Sequence, residues 1–362
     1  MSFTEEKRKA IIKYMLDKIR SNDGDVLKKT ADNFGISETS VRRYVKSCAE
    51  RGILQEDSLS ACGYRLAETR RQWELKNSAL EEDTIYFEKI VPLLTDISEN
   101  AKDIWYYAFT EIMNNAIEHS RGDWILLELR KDFLYTELSI TDNGVGIFRQ
   151  IQEYMEKNYR TKTDLGQAAL ELYKGRLTTD PEAHSGDGIF FVSKMLSEFA
   201  IWSEDTVYTC RCAEGDSLIR SHLISYYTRL KEVGTMAVMK LDNEIRHTSK
   251  EIFDRFAPLE EGFVRTLIPV REMCPLGNPV ARSQARRILR RLDEFREVIF
   301  DFRGIDFMGQ GFADEVFRVF QNRHPDITLT VTNANETVQG MIRHVTHGNQ
   351  SGLTAKGDNT QG

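Results

Sequence analysis

Long apolar runs are missing from this chain of 362 residues. None approaches the roughly 20 residues that a membrane-spanning helix needs, which argues against a helical membrane protein. The opening Met-Ser-Phe-Thr-Glu-Glu-Lys lacks the apolar core of a signal peptide. Cysteine is scarce: five residues, an odd number without metal-ligand spacing. That pattern argues against a disulfide framework and fits a reducing cytoplasm. Cys210-x-Cys212 lies in a strand-like run and reads as packing rather than metal binding. There is no excess of positive charge either, and the net −7 argues against bulk affinity for nucleic acid. No histidine precedes His119. What remains is ordinary for a soluble protein, with 41% hydrophobic and 29% charged residues, and long enough for two or three domains.

The chemistry concentrates in residues 101–191. Ile104, Ala108, Glu111, Asn115 and His119 recur at helical spacing and share one face. A carboxylate and an amide oxygen one turn apart, Glu111 and Asn115, suit a hard cation such as Mg²⁺, although an ordinary exposed helix carries such pairs too. Residues 124–130 and 134–141 read as two strands joined by a tight turn. Asp142 follows at the strand end, and Gly144 and Gly146 free the backbone for close approach to a ligand. A buried Asp there accepts from the exocyclic amine of a base; Asp-Asn-Gly is also plain turn chemistry. His184-Ser-Gly186-Asp-Gly188 then runs into an apolar helix expected over 189–199, whose backbone N–H groups suit phosphate.

Taken together, residues of about 85–242 resemble the GHKL ATPase domain of gyrase, Hsp90, histidine kinases and MutL. Glu111-x-x-x-Asn115 matches the N box, Asp142-x-Gly144-x-Gly146 the G1 box, Gly186-x-Gly188 the G2 box, and Gly234-Thr235 the late Gly-Thr. The resemblance implies a two-layer α/β sandwich that binds ATP and Mg²⁺. It places Asn115 on Mg²⁺, Asp142 on the adenine amine, Gly186 and Gly188 at the phosphates and Thr235 at the nucleotide. Glu111 would orient or deprotonate an attacking hydroxyl. Residues 149–183 would be the ATP lid, in which Lys157, Arg160, Lys162, Lys174 and Arg176 meet phosphate or form a solvated surface. His119 and His184 flank the motifs, with site-lining and structural roles both open. A sensor histidine autokinase is not expected, because no acceptor histidine stands before the N box.

Residues 1–58 hold three helical patterns, a Gly35-Ile36-Ser37 turn with Ser37 as N-cap, and Gly52 closing the third helix. They resemble a winged helix-turn-helix DNA-binding domain. The third helix carries Thr39, Ser40, Arg42, Arg43, Tyr44 and Lys46, suited to base edges and phosphates. This stretch has 12 Lys+Arg against 10 Asp+Glu, a local +2, while the remainder carries −9. A helical dimerisation or docking module is the alternative. Residues 59–84 read as a charged linker helix and 243–261 as a connector. Residues 262–347 alternate strands with helices, a small α/β unit with a basic helix over 282–295. It resembles the STAS-like (DUF4325-type) domain through the run from Asp301 to Glu315, and could dock a regulatory protein. Anti-anti-sigma STAS domains carry a phosphorylatable Ser near 308–311, where this chain has Gly309, Gln310 and Gly311. Residues 348–362 read as a disordered tail.

The leading expectation is a multidomain cytoplasmic transcription regulator, a homodimer by default, whose DNA-reading head is switched by binding and slow hydrolysis of Mg²⁺-ATP. The alternatives are an anti-sigma-factor-type serine/threonine kinase acting on a partner protein, a mechanical ATPase clamp, and a pseudo-ATPase that only binds nucleotide.

Overall fold

Capping chemistry sets the first boundaries. In the computed structural model, which describes residues 4–159, 162–177, 186–211, 233–274 and 277–346, the Thr4 hydroxyl accepts from Lys7 N at the start of α1 (Glu5–Arg20). Helix α2 (Val26–Phe34) stops at Gly35, whose φ of 62° favours glycine. Ser37 Oγ accepts from Ser40 N, 3.2 Å, and opens α3 (Glu38–Glu50). Met15, Leu16, Ile19, Val41 and Cys48 turn inward. The antiparallel hairpin of β1 (Leu54–Glu56) and β2 (Tyr64–Leu66) adds Leu54 and Leu66 to the same small core.

The linker helix expected over 59–84 is a correction. That stretch holds β2, then β3 (Thr69–Lys76), and ends in the short helix α4 (Glu82–Ile85), continued by a π turn, Tyr86–Ile90. β3 reads Thr-Arg-Arg-Gln-Trp-Glu-Leu-Lys, and only Trp73 and Leu75 pack against the core, at the period-2 spacing of a strand. The remaining charges suit an edge strand, where they discourage pairing with another chain. The same charges made the segment look like a solvated helix.

Helix α5 (Glu99–Asn114) leads into β4 (Trp124–Lys131) and β5 (Tyr135–Asp142), two strands whose bounds the sequence reading expected within a residue. After α6 (Ile147–Tyr159) and α7 (Leu165–Glu171) comes α8 (Gly188–Met195). It is shorter than expected, because Phe199 already belongs to β6 (Glu198–Ser203). With β7 (Thr206–Cys210) and β8 (Thr235–Asp242) the sheet has the order β3-β4-β5-β8-β6-β7, each neighbouring pair antiparallel. Ile125, Leu127, Leu129, Leu138 and Ile140 face the helices, with Trp105, Phe109 and Phe191. Leu126, Ala200, Met236 and Val238 form a smaller cluster of their own.

The head is docked rather than tethered. Arg20 of α1 pairs with Asp132 at 2.8 Å and with Glu137, Lys13 pairs with Asp242, and Leu134 sits in the core of the head.

The expected connector 243–261 contains α9 (Ser249–Phe256), opened by a capping box between Thr248 and Glu251. β9 (Arg265–Pro269) then runs into α10 (Val270–Met273). The basic helix is α11 (Arg282–Leu289) and stops six residues early. β10 (Glu297–Asp301), α12 (Gln310–Asp314, extended by a π turn, Glu315–Phe320), β11 (Thr328–Thr332) and α13 (Glu336–Thr346) complete a three-stranded parallel sheet of order β11-β10-β9. Arg282 and Arg286 pair with Asp314 and Glu315, both at 2.9 Å, so much of the expected basic face is neutralised. The boundary near 262 is crossed by one apolar core. Phe263 packs on Phe190 (4.7 Å between ring centroids), Phe191 (5.1 Å) and Phe295 (5.4 Å). The tail, residues 348–362, lies outside the described residues. The chain is thus a mixed α/β protein with a helical N-terminus and a β-sheet core, and no helix among the described residues is long and apolar enough to cross a membrane.

Candidate functional site

Antiparallel pairing of β5 with β8 brings the end of one strand against the start of the other. Asp142 stands opposite Thr235, and Gly234 N donates to the Asp142 carbonyl at 2.9 Å. Asp142 is 4% exposed and its Oδ1 accepts from Gly144 N at 2.8 Å. Burial raises its carboxyl to about 6, while hydrogen bonds from Gly144 and Thr235 pull the other way. The Thr235 hydroxyl accepts from Ile147 N at 3.0 Å and ties down the start of α6.

Helix α5 forms the second wall. It widens at Asn115 into a π turn, Asn115–His119, of the kind that often sits at functional sites. Ser120 ends the turn, donating from Oγ to the Ala116 carbonyl at 2.6 Å and accepting at its own carbonyl from Val145 N at 2.9 Å.

The third wall is the start of α8. The Glu111 carboxylate lies so close to Gly188 that a Cβ there would overlap Oε2. A carboxylate at a helix N-terminus is stabilised by the helix dipole and the unsatisfied N–H groups. Tyr107, one turn before Glu111, hydrogen-bonds it. Burial pushes the Tyr107 phenol far up, and the charges of Glu111 and Asp187 push the same way, so it stays a donor.

These walls enclose a cavity of about 420 Å³. Glu111, Asn115 and His119 line it from one side, Asp142 and Thr235 from another, and Gly186 and Gly188 from the third. Gly144 and Gly146 instead build the wall behind it. A Cβ on Gly144 would overlap the Ser120 carbonyl, and one on Gly146 (φ 84°) would lie 2.6 Å from Ser203 Oγ. Their missing side chains make room for neighbouring protein atoms. His184 and Arg160 lie outside the described residues. Lys174 and Arg176 do not line the cavity; Lys174 is fully buried and its ammonium donates to the Arg287 and Arg290 carbonyls. The sequence reading missed Tyr107, whose signal was its i−4 spacing from Glu111. It also missed Glu82, Gln150, Leu172, Gly175 and Leu177, which line the cavity from segments far apart in the chain.

Two glycine substitutions separate wall from lining. Gly144→Ala drives a methyl group into backbone, and is expected to destabilise the fold by about 3 kcal/mol or more. Gly188→Ala meets only the flexible end of Glu111 and is expected to cost about 1 kcal/mol or less while displacing that carboxylate. Urea unfolding of both variants checks the ranking.

On α3, Arg42, Arg43 and Lys46 are exposed, and the ion pairs of Arg42 with Glu38 (3.9 Å) and of Lys46 with Glu50 (3.8 Å) are long. Ser40 is engaged with Ser37 in the cap, and Tyr44 packs on the core of the head.

Residues 284–339 match a family model described as a STAS-like domain of unknown function (DUF4325). The match takes in most of α11, β10, α12, β11 and the start of α13, and makes the C-terminal unit similar to STAS-like domains. No curated protein matches the chain.

Proposed function

We propose that the cavity binds Mg²⁺-ATP in a GHKL-type domain of residues of about 85–242, and that residues 1–58 form a winged helix-turn-helix head that reads DNA under control of that nucleotide. The carrying observation is that seven residues singled out by motif come from four separate chain segments and meet in one cavity of about 420 Å³. That volume falls within the usual range for small-molecule sites. In this reading Asp142 accepts from the adenine amine, and the start of α8 receives phosphate. Asn115 would hold Mg²⁺ through its amide oxygen. Mg²⁺ when bound would neutralise phosphate charge. Glu111 orients the attacking water. Since its carboxylate already lies at the start of α8, it has to turn aside for a phosphate, because two anions repel there.

The exposed Arg42, Arg43 and Lys46 support contact with DNA phosphates and bases. The pairs between α1 and the ends of β5 and β8 offer a rigid route from the cavity to the head. A homodimer would set the spacing of two heads.

The C-terminal match favours one second reading, an anti-sigma-factor-type serine/threonine kinase. Its substrate would be another protein. The stretch Gly309–Gly311 at the start of α12 has no hydroxyl to phosphorylate, and Gly309 N donates to the Pro279 carbonyl at 2.9 Å.

Incubation with Mg²⁺ and γ-labelled ATP, alone and with a cell extract, tests both. Phosphate release that disappears in Glu111→Ala and Asn115→Ala is the expected result. Label on a serine or threonine moves the protein to the kinase class. Absence of any nucleotide binding sinks the proposal. The head is tested by anisotropy on mixed DNA, where Arg43→Ala is expected to weaken binding severalfold and to flatten its salt dependence.

A further inference from the structure

Residues 171–177 face two ways. Leu172, Gly175 and Leu177 line the cavity. The residues between them hold the C-terminal unit. Lys174 Nζ binds the Glu171 carboxylate at 2.8 Å and donates to the Arg290 carbonyl at 2.9 Å. The Lys174 carbonyl accepts from Thr266 Oγ1 at 2.7 Å. Arg291, from the far side, reaches Glu171 Oε2 at 3.3 Å and the carbonyls of Gly175 (3.3 Å) and Arg176 (2.5 Å). The Glu171, Lys174 and Arg291 side chains are 0, 0 and 2% exposed. A buried ion cluster of this kind resists partial disruption, because removing one member strands the others away from water. Gly175, at φ 79°, lets the strap pass the Phe263 ring, where a Cβ would lie 2.6 Å from Cε1. The strap therefore cannot shift at the cavity without moving against the STAS-like domain.

We propose that the STAS-like domain is a built-in regulator of the cavity, setting its affinity for nucleotide through the strap of residues 171–177, with Arg291 as the positioning residue. This rests on the nucleotide reading of the cavity. The two sites share one free energy of coupling, so whatever binds the STAS-like domain and loosens Arg291 weakens nucleotide, and nucleotide tightens the STAS-like contact in return.

Hydrogen exchange of the full chain with Mg²⁺ and a non-hydrolysable ATP analogue tests this. Protection is expected to rise over 171–177 and also over 287–294, where no residue lines the cavity. Arg291→Met is expected to weaken the analogue between about 5- and 150-fold and to abolish the distant protection. Arg291→Lys keeps the charge on Glu171 but loses the fork that spans two carbonyls, and should weaken binding less than Arg291→Met, with each variant measured well below its own melting transition. A purely structural arginine would lower the melting temperature and leave the affinity of the folded variants for the analogue unchanged. Protection confined to cavity segments, or wild-type affinity in a folded Arg291 variant, overturns the coupling alone. A wild-type protein that binds no analogue overturns the nucleotide reading and the coupling with it.

Discussion

Asp142→Asn is expected to weaken ATP binding about 10- to 100-fold, because a hydrogen bond to a charged group contributes roughly 1.5–3 kcal/mol. The substitution preserves size and keeps one oxygen for Gly144 N, so the loss reports the carboxylate rather than collapse. The same residue imposes a pH signature on stability. Its carboxyl is raised from 3.8 to about 6, so the folded protein binds this proton more tightly than the unfolded chain. Stability is then lost as pH rises through that window, and above about 6 the ionised group costs roughly 3 kcal/mol. Asparagine does not titrate. The unfolding free energy of Asp142→Asn relative to wild type should therefore improve by up to roughly 3 kcal/mol between about pH 4 and pH 7. Urea titrations at both ends measure it, and a difference independent of pH would count against a buried, ionising Asp142. Affinity for nucleotide should fall in the opposite sense, declining as acid protonates Asp142 below about pH 6.

Phe263→Ala should destabilise the whole chain by about 3–5 kcal/mol, the usual range for emptying a buried aromatic site. Phe263 is 5% exposed and touches rings on both sides of the boundary, Phe190 and Phe191 from α8 and Phe295 beside the STAS-like sheet. Gly175 of the strap rests on the same ring. With one core across the boundary, the sheet and the C-terminal unit should melt together, and the variant should lower that shared transition. Calorimetry decides: a wild-type profile in which the C-terminal unit melts separately, with only that peak moved by Phe263→Ala, would show two independent cores. A cooperative loss would also explain why the C-terminal unit should not be removed to test the strap.

Local chemistry was legible in the sequence. Ser37, Gly35 and Gly52 marked helix ends because a cap or a left-handed backbone depends on a single residue type. Asp142 was found from its place after an apolar strand, and Glu111, Asn115 and His119 from helical spacing, which the π turn stretches without turning any of them away from the cavity. β3 was not legible, since an edge strand buries one face only and its charges resemble a helix surface. Gly144 and Gly146 were read as freeing the backbone for a ligand; the atoms that a Cβ there would meet belong to Ser120 and Ser203.

The sequence by itself thus determined which residues carry polar chemistry, where most helices and strands begin, and that the C-terminal run is STAS-like. Only the tertiary structure decided how these parts share walls. Glu171 and Arg291 lie 120 positions apart, and neither carries a pattern pointing to the other. Lys174 reads as a solvated cation in the chain and is fully buried in the fold. Their meeting depends on strand register and on one apolar core closing around Phe263. That is a property of long-range packing, which spacing along the chain does not encode.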